Sequence, residues 1–160
     1  MSFSTLNALS PLDGRYASKL SNLRTYMSEY GYMHRRVQVE IAWFIALSDA
    51  NFKEFPPLSS ASRDYLHQLV AQFSEADGQA IKDIEKTTNH DVKAVEYWIK
   101  SKLVDFPELK TYGEFVHFAC TSEDINNTSQ ALQLKGARDA VVLPALHGVI
   151  EKLRSLAHTY

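Results

Sequence analysis

The final segment of the chain carries an apolar repeat that a helix can bury only against other helices. From Val142 onward the large apolar residues are spaced by four, three, four, three and four positions: Val142, Leu146, Val149, Leu153, Leu156 and Tyr160. This spacing lines one side of an α-helix and is typical of helical bundles. Pro144 opposes a regular helix, so we expect a kink or a local break there. The repeat is still running at Tyr160, which predicts that the chain is cut within a helix.

The rest of the chain also shows helical periodicity, and no stretch alternates as a strand would. Periodic apolar residues and capping residues predict helices at five places: Ser28 to about Ala50, from Ser59 or Ser60, from Ser74, from about Asp91, and around Glu114–Phe118. Asn89 is the expected cap of the helix near Asp91. Residues 1–16 are expected to be irregular. The predicted fold class is all-α.

Composition argues against several classes of protein. The 160 residues carry a formal net charge of −2, and the best basic run is only His34-Arg35-Arg36, so a nucleic-acid partner is not expected. No apolar run approaches the ~20 residues of a membrane span, and the first residues do not resemble a signal peptide. The single cysteine, Cys120, cannot form an internal disulfide and is expected to be a small buried residue. These features predict a cytoplasmic protein.

Metal and cofactor motifs are absent from the sequence. It contains no Gly-rich phosphate loop, no dinucleotide fingerprint, no paired-Cys zinc site and no His-Glu-x-x-His helix. The six histidines are not spaced as metal ligands. We therefore expect neither a metal nor a cofactor.

Two short polar clusters, residues 87–92 and 117–127, each place a histidine just ahead of an expected helix start. In the second cluster Thr121 or Ser122 can cap the helix, and Asp124 lies where the partner of a capping box stands. The same hydroxyls and free N–H groups at a helix N-terminus also suit a carboxylate or phosphate. Spacing alone favours the cap, because capping requires the same residues. Two such clusters in one chain make a shared anionic pocket more plausible.

A third feature is the turn Ser10-Pro11-Leu12-Asp13-Gly14, which is followed by Arg15 and Tyr16. Proline and Asp-Gly are turn chemistry, so the turn itself is ordinary. A guanidinium beside a phenol is a usual surface feature, and it is also a competent phosphate clamp.

These three stretches resemble the bacterial adenylosuccinate lyase family. The wider fumarase/aspartase superfamily shares the looser His-Asp-Val and Thr-Ser-x-Asp patterns, and the Asp-Gly-Arg-Tyr turn points to the adenylosuccinate branch. The resemblance covers the whole chain. It implies an all-α enzyme whose N-terminal helical domain spans residues 1–111, followed over residues 112–160 by the start of a central helical-bundle domain.

The resemblance also implies an activity and a set of site residues. The family eliminates fumarate from adenylosuccinate, giving AMP, and from the succinylated aminoimidazole carboxamide ribotide of purine synthesis; it is homotetrameric. The implied substrate-binding residues are Arg15, Tyr16, Asn89, His90, Asp91, Thr121 and Ser122. The first two would grip the 5′-phosphate, the next three would line the nucleotide site, and the last two would hold the succinyl group. His90 and His117 would have supporting roles.

The sequence departs from the family pattern in one respect. The family's general acid is a histidine in a Thr-His-Gly-Gln motif and its base is a serine on a Gly/Ser-rich loop, and neither string occurs before Tyr160. No catalytic proton-transfer residue is therefore expected within this chain, which alone is expected to be inactive. The alternatives are another superfamily lyase, such as argininosuccinate lyase, or a helical interaction module without a substrate.

Overall fold

The computed structural model describes residues 5–160, and its regular elements are helices. Eight α-helices follow one another in the described chain: α1 Ser21–Met27, α2 Glu29–Asp49, α3 Ser60–Ala71, α4 Glu75–Thr88, α5 Asp91–Leu103, α6 Pro107–Thr111, α7 Ser122–Ala137 and α8 Leu143–Thr159. Residues 5–160 form no strand, and Phe52 and Phe55 make only an isolated bridge. The all-α prediction is confirmed. Residues 1–4 of the predicted irregular start lie outside the described residues.

Local capping chemistry sets most helix starts. The hydroxyl of Ser59 accepts the N–H of Ser62 at 3.3 Å ahead of α3. Ser74 and Asp77 form a reciprocal capping box at the start of α4. Helix α6 was not predicted, although Pro107 stands at its first position, where a missing N–H does no harm. The stretch expected at Glu114–Phe118 is a shorter 3₁₀ turn, Gly113–Phe115.

The chain divides into two compact units, whose limits fall within α2 and α7. The central unit is Tyr32–Leu132, and the terminal unit combines Met1–Gly31 with Gln133–Tyr160. The core of the central unit includes the predicted stripe of α5: Val92, Val95, Ile99 and Leu103, each at most 2% exposed. Burying such a side chain stabilises the fold by roughly 1.5–3 kcal/mol.

In the terminal unit a glycine allows a close approach between α7 and the end of α1. A Cβ on Gly136 would lie 2.6 Å from the ring of Tyr26, so a larger residue would push that ring away. The amide of Gln133, one turn earlier, donates to the carbonyl oxygen of Tyr26 at 2.7 Å. Beyond α7 the chain forms a π-helical turn over Arg138–Val142 before α8 begins. The local break expected near Pro144 is thus present, immediately ahead of that proline.

The apolar side of α8 is open to solvent. Its seam of Val142, Leu146, Val149, Leu153 and Leu156 is 39–60% exposed. A contiguous apolar stripe of this length on one helix is typical of a surface that packs against another apolar surface.

We expect the isolated 160-residue chain to self-associate through this seam, because water disfavours the exposed stripe. Sedimentation over a rising concentration series should show the average mass increasing. The double variant Leu146→Lys/Leu153→Lys places charges on the seam and should remain smaller at each concentration. A folded wild-type chain that stays monomeric across the series would contradict this expectation.

Candidate functional site

Helix α2 carries two charged side chains inside its buried face. Arg36 is 3% exposed and Glu40, one turn later, is fully buried. Both lie among the apolar residues Met33, Val37 and Ile41, which face the core of the central unit. Burial of a charge is costly unless a partner compensates it, so each side chain requires a specific contact.

Arg36 joins the two polar clusters. Its guanidinium donates to the carboxylate of Asp91 at 2.5 Å and, through Nε, to the amide oxygen of Asn126 at 3.0 Å. The same group lies 3.9 Å from the ring centroid of Tyr32, a cation–π contact. Asp91 belongs to the first turn of α5 and Asn126 to the second turn of α7. One buried arginine therefore fixes the starts of both helices against α2.

The carboxylate of Asp91 is thus engaged within the protein. Burial alone would raise the pKa of Asp91, but the Arg36 guanidinium and the N–H of Val92 outweigh it and lower the pKa. Asp91 is ionised at neutral pH, and its charge is directed to Arg36.

Glu40 makes the second contact of α2 with a predicted site residue. Its Oε1 lies 2.6 Å from Nδ1 of His117, whereas its Oε2 is buried and has no partner among the described residues. Burial raises the pKa of Glu40, and the ring and backbone of His117 oppose that rise. Glu96, on α5, adds a nearby negative charge that also raises the pKa of Glu40.

The start of α5 corrects one prediction, because the cap is His90 and not Asn89. Nδ1 of His90 accepts the N–H of Lys93 at 3.2 Å. Asn89 instead ends α4 in the left-handed conformation, with φ of 48°, which asparagine tolerates better than most residues. Since Nδ1 is an acceptor, neutral His90 carries its proton on Nε2. The His90 side chain is half-exposed, and its Nε2–H is a hydrogen-bond donor at the helix start.

The loop ahead of α7 has a restricted backbone. His117 and Ala119 both have positive φ, at 64° and 59°. An L-residue such as alanine pays roughly 1–2 kcal/mol for this conformation, and such strain clusters at functional sites. The indole N–H of Trp43, on α2, donates to the carbonyl oxygen of Phe118 at 2.7 Å and holds the loop in place.

Thr121 and Ser122 have different surroundings. Thr121 precedes the first residue of α7, and both its N–H and its hydroxyl donate to the carboxylate of Asp124, at 2.7 and 2.8 Å. The N–H and hydroxyl of Thr121 lower the pKa of Asp124. The hydroxyl of Ser122 has no hydrogen-bond partner within residues 5–160. Thr121 therefore stabilises the turn, and Ser122 is the hydroxyl available to a ligand.

Arg15 and Tyr16 lie in the terminal unit, in the turn that follows Gly14. The Arg15 guanidinium carbon is 5.2 Å from the ring centroid of Tyr16, and both side chains are exposed. The turn is held by the N–H of Tyr16, which donates to the carbonyl oxygen of Pro11 at 2.9 Å. Both side chains are accessible to a ligand.

The central unit therefore brings together the predicted residues of two motifs, at the starts of α5 and α7. Sequence reasoning missed the two residues of α2 that connect them, Arg36 and Glu40. The available signal was their position: they lie three and seven places after Met33, on the side of α2 that the apolar stripe buries. The basic run His34-Arg35-Arg36 by itself does not indicate that Arg36 is buried.

Cys120 is half-buried, which differs in degree from the predicted burial. Burial, followed by the charges of Glu40 and Asp124, raises its pKa, so the thiol is a poor nucleophile at neutral pH. In the part of the chain that the structure describes, no cluster of three potential ligands could hold a metal ion. No helix among these residues is long and apolar enough to cross a membrane.

Replacing Arg36 by methionine should lower the free energy of unfolding of this chain. Asp91 would lose its partner, while the methionine side chain would keep much of the packing. Breaking a buried pair costs about 3–5 kcal/mol, and because Asp91 is half-exposed we expect about 2 kcal/mol. Urea denaturation measures this change. Since folding lowers the pKa of Asp91 below 3.8, the loss should be full at neutral pH and shrink as the pH falls through that lowered pKa.

Lys86→Met is the matched control, because Lys86 pairs with Asp83 on the exposed surface of α4. Exposed pairs contribute less than about 1 kcal/mol. Equal losses in the two variants would show that Arg36 does not hold the helix starts together.

The chain is similar in sequence to known proteins. A family model described as lyase matches residues 14–160. The chain is 52% identical over 161 residues to an adenylosuccinate lyase of Vibrio cholerae and 53% identical to one of Escherichia coli K12; each match covers 100% of this chain. An adenylosuccinate lyase of Legionella pneumophila is 43% identical over 157 residues, 98% of this chain. The resemblance drawn from the three motifs is confirmed. The chain spans 34–35% of the length of these relatives.

Proposed function

We propose that this chain, which belongs to the lyase family, is the N-terminal part of an adenylosuccinate lyase. Such an enzyme eliminates fumarate from adenylosuccinate to give AMP, and likewise acts on the succinylated aminoimidazole carboxamide ribotide of purine synthesis. The observation that carries the proposal is the arrangement around Arg36. It holds together two helix starts that present the His90 ring and the free Ser122 hydroxyl as donors.

The chemistry of the elimination requires such donors. A base removes the proton next to a carboxylate of the succinyl group, and the resulting negative charge spreads into that carboxylate. The C–N bond then breaks with its electron pair on nitrogen, and an acid protonates that nitrogen as fumarate leaves. Fixed hydrogen-bond donors on the carboxylate oxygens stabilise the charge that develops. Exposed donors at a helix N-terminus suit this role.

The proposed substrate contacts follow the motifs. Thr121 and Ser122 hold the succinyl group, with Ser122 supplying the direct hydroxyl contact because the Thr121 hydroxyl is bound to Asp124. Asn89, His90 and Asp91 line the nucleotide site. Within that group Asp91 acts chiefly through the position of its backbone, since its carboxylate is held by Arg36.

The remaining contacts involve the 5′-phosphate and His117. Arg15 and Tyr16 are proposed to grip the phosphate with a guanidinium fork and a phenol. His117 has a supporting role. The general acid and base are proposed to lie in the part of the enzyme outside these 160 residues.

The proposal extends to the whole enzyme. It is a cytoplasmic homotetramer that uses no metal or cofactor, and the exposed seam of α8 packs against other helices of the assembly. Residues 1–111 form its N-terminal helical domain, and residues 112–160 begin its central bundle. The compact units of this chain have other limits because they record packing within these 160 residues alone.

The competing assignment is another lyase of the superfamily, such as argininosuccinate lyase. The names of the relatives and the Asp-Gly-Arg-Tyr turn favour the adenylosuccinate branch. The test is fumarate release by the longer enzyme from adenylosuccinate and, separately, from argininosuccinate. Turnover of adenylosuccinate alone supports the proposal, and turnover of argininosuccinate alone rejects it. A non-catalytic helical module would release fumarate from neither.

A further inference from the structure

The contact between Glu40 and His117 has a consequence for how the site holds its substrate. Glu40 is fully buried in α2, its Oε1 is 2.6 Å from Nδ1 of His117, and its Oε2 has no partner among the described residues. His117 is partly exposed, at 19% of its side chain, and its Nε2 has no partner within residues 5–160. One ring nitrogen is therefore committed to Glu40 and the other is open to a ligand.

We propose that Glu40 and His117 share one proton as a net-neutral pair, and that Glu40 thereby keeps a proton on Nε2 of His117, which donates to an anionic group of the substrate. This inference rests on the proposed lyase function for the identity of the substrate. Glu40 is then a positioning residue, which acts through His117.

The cost of burying an uncompensated charge favours this arrangement over the other possible protonation states. If the shared proton lies on Nδ1 with the ring fully protonated, Glu40 is a carboxylate and Nε2 bears a proton. If Glu40 is protonated and donates to Nδ1, the neutral ring again carries its proton on Nε2. Only a carboxylate beside a neutral ring protonated at Nδ1 would leave a lone pair on Nε2. That state places an uncompensated negative charge in a fully buried position, which is the most costly of the three.

The charges around Glu40 and His117 also favour a net-neutral pair. Glu96 on α5 lies close enough to Glu40 to disfavour a second negative charge, although Lys93 and Lys100 bind it at 2.7 and 3.1 Å. Asp124 on α7 lies near His117 and favours a positive ring, whereas the Cys120 thiol is neutral at neutral pH. The groups around the pair thus favour a neutral total for Glu40 and His117 and a proton on Nε2.

His90 also carries its proton on Nε2, for a different structural reason. Its Nδ1 accepts the N–H of Lys93, so its Nε2 also carries the proton. Two different contacts, one with a backbone amide and one with a buried carboxylate, leave both histidines with a donor at Nε2. Two such donors, one at the start of α5 and one in the loop ahead of α7, suit an anion and do not suit a cation.

The first experiment compares Glu40→Leu and Glu40→Gln in the longer enzyme with the wild type. Leucine offers no hydrogen bond to Nδ1, so the proton on Nε2 of His117 is no longer fixed, whereas the glutamine amide can donate to Nδ1 as a protonated Glu40 does and keep that proton. For Glu40→Leu we expect KM for adenylosuccinate to rise about tenfold with kcat changed less than about threefold, since a fixed donor is lost. For Glu40→Gln the rise in KM should stay below about threefold, because the donor at Nε2 is kept.

Two variants separate positioning from a general loss of structure. Glu108→Gln removes a carboxylate of the same unit whose hydrogen bonds go to Ser59 and Ser62, and it should leave KM unchanged. In a His117→Ala background, Glu40→Leu should cause no further loss, because its only route is through His117. Losses that multiply in the double variant, an unchanged KM for Glu40→Leu, or an equal rise in KM for Glu40→Leu and Glu40→Gln overturn the proposal.

Product inhibition identifies the anionic group that His117 contacts. The anionic groups of fumarate are both carboxylates, and the anionic group of AMP is its phosphate. A weaker inhibition of Glu40→Leu by fumarate assigns the contact to the succinyl carboxylate, and a weaker inhibition by AMP assigns it to the phosphate. Unchanged inhibition by both products overturns the proposal.

A readout that needs no turnover distinguishes failure of this inference from failure of the proposed function. In the longer enzyme labelled with ¹⁵N-histidine, the spectrum of His117→Gln identifies the His117 signals by their loss. We expect Nε2 of wild-type His117 to be protonated at neutral pH. A lone pair on that nitrogen overturns the inference even if the enzyme cleaves adenylosuccinate. A protonated nitrogen in an enzyme that does not cleave adenylosuccinate rejects the proposed function and leaves the pair intact.

Discussion

The 160-residue chain alone is expected to release no measurable fumarate from adenylosuccinate. The residues proposed here bind and orient the substrate, and the chain contains neither the Thr-His-Gly-Gln string nor the Gly/Ser-rich loop of the family's acid and base. Loss of each proton-transfer group typically costs ~10²–10⁴-fold in rate, so the joint loss exceeds about 10⁴-fold. The measurement is the absorbance change on fumarate formation, with the longer enzyme at equal molar concentration as the reference.

The control for this prediction is a measurement of helix content on the same sample of the isolated chain. Circular dichroism of the isolated chain should show helix, so that inactivity is not simply the result of unfolding. Turnover by a well-purified chain at a rate near that of the longer enzyme would contradict the proposal that the general acid and base lie outside these 160 residues.

Replacing Ser122 by alanine in the longer enzyme is expected to lower kcat about a hundredfold while leaving the melting temperature nearly unchanged. Its hydroxyl is at the start of α7 and has no protein partner within residues 5–160, so its removal breaks no internal hydrogen bond. A donor to a charge that grows in the transition state contributes about 3 kcal/mol. The measurement is the rate constant for fumarate release beside the melting temperature of the same preparation.

Thr121→Ala is the matched control, one residue earlier in the same turn. Its hydroxyl donates to Asp124, so this variant should lose about 1 kcal/mol of stability, as other lost caps do. Its effect on kcat should be smaller than that of Ser122→Ala. If Ser122→Ala instead lowers the melting temperature and keeps full turnover, Ser122 is a cap and not a substrate contact.

Most of the α-helices could be predicted because local chemistry and periodicity agreed, whereas α1 and α6 were not predicted. The stripe of α5 and the box of Ser74 with Asp77 are contained in a few neighbouring residues, and the structure has them as expected. The cap of α5 could not be assigned in the same way. Asn89 is the better cap by propensity, but it also ends α4, and the left-handed turn that this requires moves the cap to His90.

The buried charges of α2 show a second limit of prediction from sequence. Periodicity places Arg36 and Glu40 on the buried side of the helix, but their partners are 55 and 77 residues away in sequence. No local pattern connects such pairs, because the contacts arise from tertiary packing. The difference between Thr121 and Ser122 likewise depends on which hydroxyl reaches Asp124, and two adjacent hydroxyls look alike in sequence.

The most direct test of the proposed site is a crystal structure of the longer enzyme with AMP and fumarate bound. We predict that a fumarate carboxylate lies within hydrogen-bond distance of the Ser122 hydroxyl, and that the AMP phosphate contacts Arg15 and Tyr16. Arg36 should remain bound to Asp91 and Asn126. Fumarate bound away from the start of α7, with Ser122 free of any ligand, would contradict the central claim that this helix start holds the succinyl group.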